Sequence, residues 1–316
     1  MLDPLLEHRV LFMLGKGGVG RTSLAGAVAL SSARAGCRVL AVECDPAAPL
    51  ARAFGAAPGY KPVEALPNLW LMTLEGQAAL RNYLTLTLGT PTLLRAVFAS
   101  SLYKLFVQAA PGLRELIMIG KIYHEAERRP ASLPRWDVVI VDAPPSGHAL
   151  ALLRMPFAAG ETFGTSVVGK EARAVGDFMR DRRKFAVVLV TTGERLAVSE
   201  TLENRAALAA LRLEPAAVVI NRVPQPGFSL RDLQSLEGTP ALSGQGAEAA
   251  QLAKEIAGDE LRRAERASKM LRFLRRHTHA PTLEIPECGI VSLRETVVEL
   301  ATRASHKPLS RREARI

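Results

Sequence analysis

The sequence has few cysteines and few aromatic residues, and each shortage excludes a class of protein. Its three cysteines are Cys37, Cys44 and Cys288, and none forms a Cys-x-x-Cys pair. An odd number of isolated cysteines predicts neither a disulfide framework nor a zinc site, and it fits a reducing compartment. Aromatic residues make up 5% of the chain, too few for the base-stacking surface of a single-strand binder. We therefore expect no zinc and no nucleic acid partner.

Long apolar runs are also missing, although 48% of the residues are hydrophobic. No run approaches the roughly 20 residues needed to span a bilayer, and the acidic start, Met1 to His8, does not have the composition of a signal peptide. We expect a soluble cytoplasmic protein. The formal net charge is +10. Because the arginines are scattered, anionic ligands explain this charge better than a nucleic acid or an acidic membrane surface.

Short β-rich runs alternate with longer helical runs along the chain. Most of the short runs are continuously apolar, as in strands that are buried on both faces of a parallel sheet. The sequence therefore predicts an α/β fold with a mostly parallel sheet of about seven strands, flanked by helices. The predicted strands are Arg9–Leu14, Arg38–Glu43, Asn68–Thr73, Asp137–Asp142, Phe185–Thr191, Ala216–Asn221 and Thr282–Ile285.

Two segments interrupt this alternation inside a single predicted domain of residues 1–316. Residues 77–128 are helical and apolar, which fits either the core of a helical subdomain or a hydrophobic surface for an effector. Residues 225–243 form a predicted loop, and the helix after it carries Ala and Leu at spacings of three and four, from Ala250 to Leu274. That stripe predicts a helix docked on the sheet. We expect the basic tail, residues 307–316, to be disordered.

A glycine-rich loop follows the first predicted strand. Gly15 to Ser23 matches the phosphate-loop pattern of Gly, four residues, Gly, Lys and Ser or Thr at every position except the lysine, which is replaced by Arg21. A second cation, Lys16, lies inside the loop. Backbone N–H groups of such a loop, with the dipole of the next helix, bind phosphate. The nucleotide-binding candidates here are Gly17, Gly18, Val19, Gly20, Arg21, Thr22 and Ser23, with Thr22 also placed to ligate Mg²⁺.

The same loop has a rival interpretation. Gly15-x-Gly17-x-x-Gly20 also satisfies the dinucleotide-binding fingerprint, and Glu43 lies where a ribose-binding acid would be expected. That would indicate a nicotinamide-dependent oxidoreductase. Two cations and the Thr-Ser pair within the loop favour a nucleoside triphosphate instead. The aspartates Asp45 and Asp142, at the ends of the second and fourth predicted strands, suit a Mg²⁺–water network; a nicotinamide site does not need the second of them.

Several segments carry a resemblance to a known class. The loop from Lys16 to Ser23 resembles the deviant phosphate loop of the MinD, ParA and ArsA class, which is marked by an extra lysine near its start. Asp142-Ala143-Pro144-Pro145-Ser146-Gly147-His148 resembles switch II of the ArsA branch, which contains arsenite-pump-driving ATPases and the ATPases that target tail-anchored membrane proteins. Asp45-Pro46-Ala47 is similar to switch I of that branch, and the strand ending at Asn221 is similar to one whose Asn contacts adenine.

The resemblance implies a P-loop NTPase that uses ATP and Mg²⁺. Lys16 would reach across a dimer interface to the nucleotide of the other subunit. Thr22 would ligate Mg²⁺, Asp142 would hold the Mg²⁺ shell through water, and Asp45 would orient the attacking water. The catalytic candidates are Lys16, Asp45 and Arg21, and the nucleotide-binding set also includes Asn221 and Pro286. The implied partners are a second copy or a paralogue, and a protein client.

The sequence departs from the branch at four places. Arg21 stands at the loop lysine, and guanidinium and ammonium groups differ in size and direction. Switch I continues as Ala48-Pro49, where the branch has His then Ser. No cysteine trio is present, so we expect no arsenite site. The segment Leu150–Lys184 is short where targeting factors carry part of a client groove.

Two functions follow from these observations. The first is an ATPase switch that dimerises on ATP and transmits its nucleotide state to a protein partner. The second is a hydrolysis-weak regulatory subunit that needs a paralogue with the usual lysine, which Arg21 and the altered switch I motivate. The oxidoreductase interpretation rests only on the glycine fingerprint and Glu43.

Overall fold

The computed structural model describes residues 7–76, 78–81, 112–127, 135–237, 245–289 and 292–304. In this part of the chain an eight-stranded sheet has the order β3-β4-β2-β5-β1-β6-β7-β8. Every neighbouring pair is parallel except β3 and β4, which are antiparallel. The strands are β1 (Val10–Gly15), β2 (Val39–Glu43), β3 (Val63–Leu66), β4 (Leu69–Thr73), β5 (Val138–Asp142), β6 (Phe185–Thr191), β7 (Pro215–Val223) and β8 (Thr282–Pro286).

Helices cover both faces of this sheet, which confirms the predicted α/β fold. Alternate residues of β1 point to opposite faces, so that Leu11 and Met13 join one buried cluster while Phe12 and Leu14 join the other. The first cluster is closed by α1, α2 and α9, and the second by α3, α4, α5, α6 and α8. The helices are α1 (Arg21–Arg34), α2 (Pro49–Ala53), α3 (Leu113–Glu127), α4 (Ser146–Thr162), α5 (Val167–Arg180), α6 (Arg195–Ala210), α7 (Leu230–Glu237), α8 (Gln245–His277) and α9 (Leu293–Ala304).

All seven predicted strands are present, and the eighth, β3, was not predicted. Its sequence Val-Glu-Ala-Leu lacks a continuous apolar run, because the strand lies at the sheet edge and its first two residues are exposed. A tight connection at Asn68, which has a φ of 63°, turns the chain back into β4. An edge strand needs only one partner and no buried second face, so its composition gives little signal.

Helix α7 occupies part of the segment for which a loop was predicted. Its start is capped reciprocally: the Ser229 N–H donates to Asp232 Oδ2 at 2.6 Å, and the Asp232 N–H donates to Ser229 Oγ at 3.3 Å. This Ser-x-x-Asp spacing is a capping box, and it was the available signal for the helix. Residues 238–243 of the predicted loop and the tail 307–316 lie outside the described residues.

The two remaining helical predictions are met in part. Most of segment 77–128 lies outside the described residues, but its last part forms α3, which buries Ile119 and Ile122 in the second cluster. On α8 the stripe is buried at Ala257, Ala267, Leu271 and Leu274, whereas Leu261 and Ala264 are half-buried and Ala253 is exposed. Among the described residues, no helix combines the length and apolar character needed to cross a membrane.

The two tryptophans of the chain pack against each other far from the glycine loop. The ring centroids of Trp70, on β4, and Trp136, just before β5, are 5.1 Å apart. The Trp136 indole N–H donates to Glu125 Oε2 at 3.0 Å, and Lys121 Nζ lies 2.6 Å from Glu125 Oε1. These bonds lower the pKa of the buried Glu125 against the opposing effect of its burial. The cluster anchors α3 to the amino-terminal edge of the sheet.

Candidate functional site

The glycine loop joins the carboxyl end of β1 to the first turn of α1. Gly18 and Gly20 have φ values of 84° and 90°, which residues with a Cβ rarely adopt. Gly20 precedes α1 without a side-chain cap. Because glycine has no side chain, Gly20 cannot cap the first N–H groups of α1, and together with the helix dipole these groups favour an anion at this position.

Asn221 lies directly beneath the loop. Its Nδ2 donates to the Val19 carbonyl at 2.9 Å, and the residue is 6% exposed. A Cβ added to Gly20 would lie 2.2 Å from the same nitrogen. The loop and β7 thus meet so closely that only glycine fits. The structure assigns the Asn221 amide nitrogen to the loop backbone, and its predicted contact with adenine stays a prediction.

Thr22 and Asp142 meet at the carboxyl edge between β1 and β5. Thr22 Oγ1 donates to Asp142 Oδ2 at 2.6 Å. Asp142 is 3% exposed, and its Oδ1 is buried without a hydrogen-bond partner. Burial raises the pKa of this carboxyl, and Asp45 raises it further, against the opposing effects of Thr22 and Arg21. A hydroxyl beside an unpaired buried carboxylate oxygen is a donor set that suits Mg²⁺.

The Arg21 side chain contacts the backbone that follows Asp142. Its Nη1 donates to the Ala143 carbonyl at 2.5 Å and also to the Pro144 carbonyl. Both carbonyls belong to the segment that resembles switch II, immediately after Asp142. The guanidinium therefore ties the start of α1 to the backbone that leads into α4. Sequence reasoning placed Arg21 with the phosphates and gave no signal for this contact, because the acceptors are main-chain atoms.

Asp45 is exposed at the same edge, in a turn between β2 and α2. Its Oδ1 accepts the Ala47 N–H at 2.8 Å, and Ala48 has a φ of 49° where the turn enters the helix. Asp45 also contributes to the raised pKa of Asp142. The structure joins Thr22 to Asp142 and places Arg21 and Asp45 at the same edge, as predicted from their positions after parallel strands.

Glu43 has a different task from the one that the rival interpretation required. It is 1% exposed, its Oε2 accepts the Leu50 N–H at 2.8 Å, and its Oε1 accepts the Ala51 N–H at 3.1 Å. Burial raises its pKa, although these two bonds oppose the shift. The carboxylate caps α2 and holds the turn that contains Asp45. This geometry argues against a ribose-binding role for Glu43.

Lys16 lines a cavity of about 520 Å³ between the loop and the helices α4 and α6. Ser146 Oγ donates to Glu200 across this cavity, which connects the first residue of α4 to α6. Asn204 also lines it, and its Nδ2 is buried without a partner. Sequence reasoning did not single out Asn204. The predicted reach of Lys16 toward another subunit stays a prediction.

The remaining candidates lie along the same edge. Val19 is 3% exposed and carries the carbonyl that Asn221 binds, while Gly17 is exposed and Ser23 half-buried. Pro286 ends β8 and pairs in register with Val223, two residues beyond Asn221. Its position fits the predicted contact with a nucleotide, which stays untested.

The fold and this loop are those of the P-loop NTPase class of α/β proteins. A family profile described as anion-transporting ATPase, the ArsA-type ATPases, matches residues 8–168, about half of the chain. The chain belongs to this family. The matched region contains the glycine loop, the switch I turn, Asp142 and α4.

Curated relatives agree with this family. The chain is 29% identical over 221 residues to "ATPase BagA" of Mycobacterium tuberculosis, an alignment that covers 68% of this chain and 65% of the relative. It is 29% identical over 231 residues to an arsenical pump-driving ATPase of Acidiphilium multivorum, covering 67% and 39%. An "ATPase ASNA1 homolog 1" of Paramecium tetraurelia is 28% identical over 163 residues, covering 49% and 46%. The chain thus spans less than two thirds of each relative's length.

Proposed function

We propose that this chain is a Mg²⁺-dependent ATPase that acts as a dimeric switch and couples its nucleotide state to a protein partner. The observation that carries the proposal is the Thr22–Asp142 hydrogen bond of 2.6 Å at the foot of the glycine loop, with Asp142 Oδ1 left unpaired in a buried position. A buried carboxylate without a partner is costly unless a cation compensates it. A metal at this point would lie beside a bound triphosphate.

Different residues of the chain carry out different parts of phosphoryl transfer. The loop N–H groups and the start of α1 hold the phosphates. Thr22 and Asp142 would hold Mg²⁺, which supplies charge neutralisation to the transferring phosphoryl group. Asp45 orients the attacking water from the opposite side of the edge, and its backbone is fixed by the bond to Ala47 and by the Glu43 cap on α2. Little other chemistry is needed, because positioning and electrostatics dominate this reaction.

Switching rests on two contacts, one from the loop to the segment before α4 and one from α4 to α6. Arg21 holds the carbonyls of Ala143 and Pro144, and Ser146 donates to Glu200 beside Lys16. An anion in the loop competes for Arg21, so we propose that ATP loosens this hold and lets the segment before α4 move. A second copy or a paralogue would then complete the site through Lys16, and a protein client would sense the change.

Steady-state phosphate release with ATP and Mg²⁺ tests the activity. We expect turnover that disappears when Mg²⁺ is chelated, and Thr22→Ala is expected to lose it while keeping the fold. Ser23→Ala is the matched control: Ser23 is a nucleotide-binding candidate without a predicted role in metal binding, so this variant is expected to bind ATP more weakly but to keep Mg²⁺-dependent turnover at saturating ATP. Equal losses in both variants, or turnover that survives chelation, would contradict the metal site at Thr22 and Asp142.

Sedimentation tests the dimer. We expect Lys16→Ala to reduce hydrolysis and ATP-dependent dimerisation more than ATP binding by the monomer. A dimer that forms equally well without Lys16 would contradict its role between subunits.

A second candidate function is a hydrolysis-weak regulatory subunit that works with a paralogous ATPase. The observation that favours it is the commitment of Arg21 to the Ala143 and Pro144 carbonyls, which keeps the guanidinium away from the phosphate position. Arg21→Lys distinguishes the two. A regulatory subunit is expected to bind ATP with little turnover and to gain turnover with lysine, whereas a full ATPase turns over at least as fast with arginine.

A further inference from the structure

A second cavity lies on the other side of the carboxyl edge. It has a volume of about 700 Å³ and is enclosed by the turn between β6 and α6, the ends of β7 and β8, and the middle of α8. Neither the glycine loop nor Asp45 nor Asp142 lines it. Cavities of this size commonly hold small molecules, so the question is which chemistry its walls select.

The walls carry a clear excess of positive charge. Of the cations, Arg263 is held by Glu287 at 2.9 Å and Lys269 by Glu265 at 2.8 Å. The other three make no hydrogen bond or ion pair with any residue that the structure describes; these are Arg195, Arg222 and Arg266. Only Glu194 and Glu287 bring negative charge to the described walls. Guanidinium groups that line one cavity and have no partners are suited to bidentate binding of phosphate.

The deeper walls are apolar. Ala267 is 6% exposed, and Pro224, Met270 and Cys288 are half-buried, whereas the arginines are exposed at the mouth. Close packing holds this interior in place, because a Cβ on Gly193 would lie 2.6 Å from the Cβ of Ala267. The turn after β6 therefore presses on α8. A ligand that fits has an apolar body inside the cavity and its negative charge at the mouth.

Arg222 reaches this mouth through an unfavourable backbone conformation. Its φ is 54°, and the register of β7 and β8 shifts between Ile220 and Val223, so that the residue lies in a bulge. Bulges redirect side chains, and a left-handed conformation in a residue other than glycine is strained. Glycine would remove this strain. The presence of arginine here is thus better explained by what its side chain binds than by the stability of the fold.

We propose that the cavity between β6, β7, β8 and α8 binds a small organic phosphate, with Arg195, Arg222 and Arg266 on the phosphate group and Ala267 and Met270 against the apolar body. This site is separate from the glycine loop and does not depend on the function proposed for that loop. It lies next to Asn221 and Pro286, so a bound ligand would lie close to the predicted nucleotide-binding residues.

Calorimetric titration of the full chain with phenyl phosphate tests the site. Mg²⁺ and ADP are kept at saturation so that the glycine loop is occupied, and ADP binding is measured on the same samples. We expect one phenyl phosphate per chain, bound more tightly than inorganic phosphate because the ring enters the apolar interior. Arg222→Gly and Arg266→Ala are each expected to weaken binding about tenfold or more, since each removes a charge-assisted contact.

Arg262→Ala is the matched control. Arg262 precedes Arg263 on α8 but lies outside the cavity and pairs with Asp259 at 2.6 Å. We expect it to leave phenyl phosphate binding unchanged. Arg222→Gly is also expected to melt at the same or a higher temperature than the wild-type protein. If Arg222 had a structural role, this variant would melt at a lower temperature.

Three results would overturn the proposal: no binding of phenyl phosphate beside saturating ADP, equal weakening by Arg262→Ala, or loss of binding in Arg21→Ala. If ADP itself fails to bind, the function proposed for the loop is contradicted. The cavity is then judged by Arg222→Gly alone: a tenfold or greater loss supports it, and unchanged binding overturns it.

Discussion

The two halves of the sheet's carboxyl edge treat their charged side chains in opposite ways. In the half formed by β1, β2 and β5, charged groups are bonded to the protein itself: Glu43 to the amides of α2, Arg21 to two carbonyls, and Asp142 to Thr22. In the half formed by β6, β7 and β8, the exposed Arg195 and Arg222 have no partner among the described residues. The same edge thus has charges bonded to the protein in the loop half, whereas the cavity half combines paired charges, such as Arg263 with Glu287, with arginines that have no described partner.

This difference indicates two kinds of site. Committed charges must exchange partners when a ligand arrives, so binding is coupled to movement of the backbone that they hold. Charged side chains without partners bind a ligand without breaking a contact within the protein, so binding changes the protein structure little. The loop half is therefore suited to switching and the cavity half to plain recognition. The following predictions test that contrast, in order of expected effect.

The largest effect is expected from Asp45→Asn. Asparagine still accepts the Ala47 N–H, so the turn keeps its shape. It lacks the charge with which Asp45 orients and polarises the attacking water in the mechanism proposed above. We expect kcat for ATP hydrolysis to fall roughly a hundredfold to ten-thousandfold. Steady-state phosphate release measures it, with Glu287→Gln from the other half as the control. A comparable fall in the control would mean that catalysis is not confined to the loop half.

Gly20→Ala is expected to cost about 1–3 kcal/mol of unfolding free energy, because it imposes a left-handed φ on a residue with a side chain and forces a Cβ to 2.2 Å from Asn221 Nδ2. Gly17→Ala is the control, since a Cβ there meets nothing within 4 Å. Urea unfolding of both variants measures the difference. Equal costs would show that β7 does not constrain the loop.

Asp142→Asn is expected to raise the melting temperature near neutral pH when nucleotide and Mg²⁺ are absent. Burial raises the pKa of Asp142, so the folded protein binds this proton more tightly than the unfolded chain does. The wild-type protein then recovers stability as pH falls from neutral through the raised pKa, and the gap between the two proteins closes. Glu43, whose pKa burial also raises, is present in both and cancels.

Thermal melts from about pH 7 to about pH 4 measure the difference in melting temperature between the two proteins across the range in which carboxyl groups ordinarily titrate. A gap that widens toward acid would mean that the carboxylate, and not the carboxylic acid, is the form that the fold favours. Adding Mg²⁺ is expected to stabilise the wild-type protein and to leave the Asn variant unchanged, because the variant has lost the charge that a cation compensates.

The smallest effect is expected from Arg195→Ala in the cavity half. Because this exposed side chain has no partner among the described residues, its removal is expected to change the unfolding free energy by less than about 0.5 kcal/mol. Urea unfolding measures it. A cost comparable to that of Gly20→Ala would show that Arg195 is committed to the fold after all, and the contrast between the two halves would fail.

Much of this architecture could be predicted because burial on both faces leaves a direct mark on sequence. The strands β1, β2, β5 and β6 are continuously apolar, and the residues after them lie at one edge by the geometry of parallel strands. β3 could not be predicted in the same way, since an exposed edge strand needs no apolar run. Asp45, Asp142 and Thr22 were placed at one edge for these reasons, and in the structure Thr22 and Asp142 are joined by a hydrogen bond there.

The contacts that could not be predicted join side chains to the main chain or collect residues from distant segments. Arg21 binds two carbonyls, and Glu43 caps a helix with backbone amides, so neither partner has a side chain to identify it. The cavity draws its arginines from α6, β7 and α8, which are separated by dozens of residues in sequence. Only the packing of these elements brings the charges to one place.

The paired tryptophans have a practical consequence for optical measurements. Trp70 and Trp136 form one cluster at the amino-terminal edge, and Trp136 lies roughly 20 Å along β5 from Asp142 at about 3.3 Å per residue. Intrinsic emission from this protein therefore has a single origin, remote from both candidate ligands. This emission will report unfolding of the core directly. A change in emission on adding nucleotide would mean that a structural change extends from the carboxyl edge of the sheet to its amino-terminal edge.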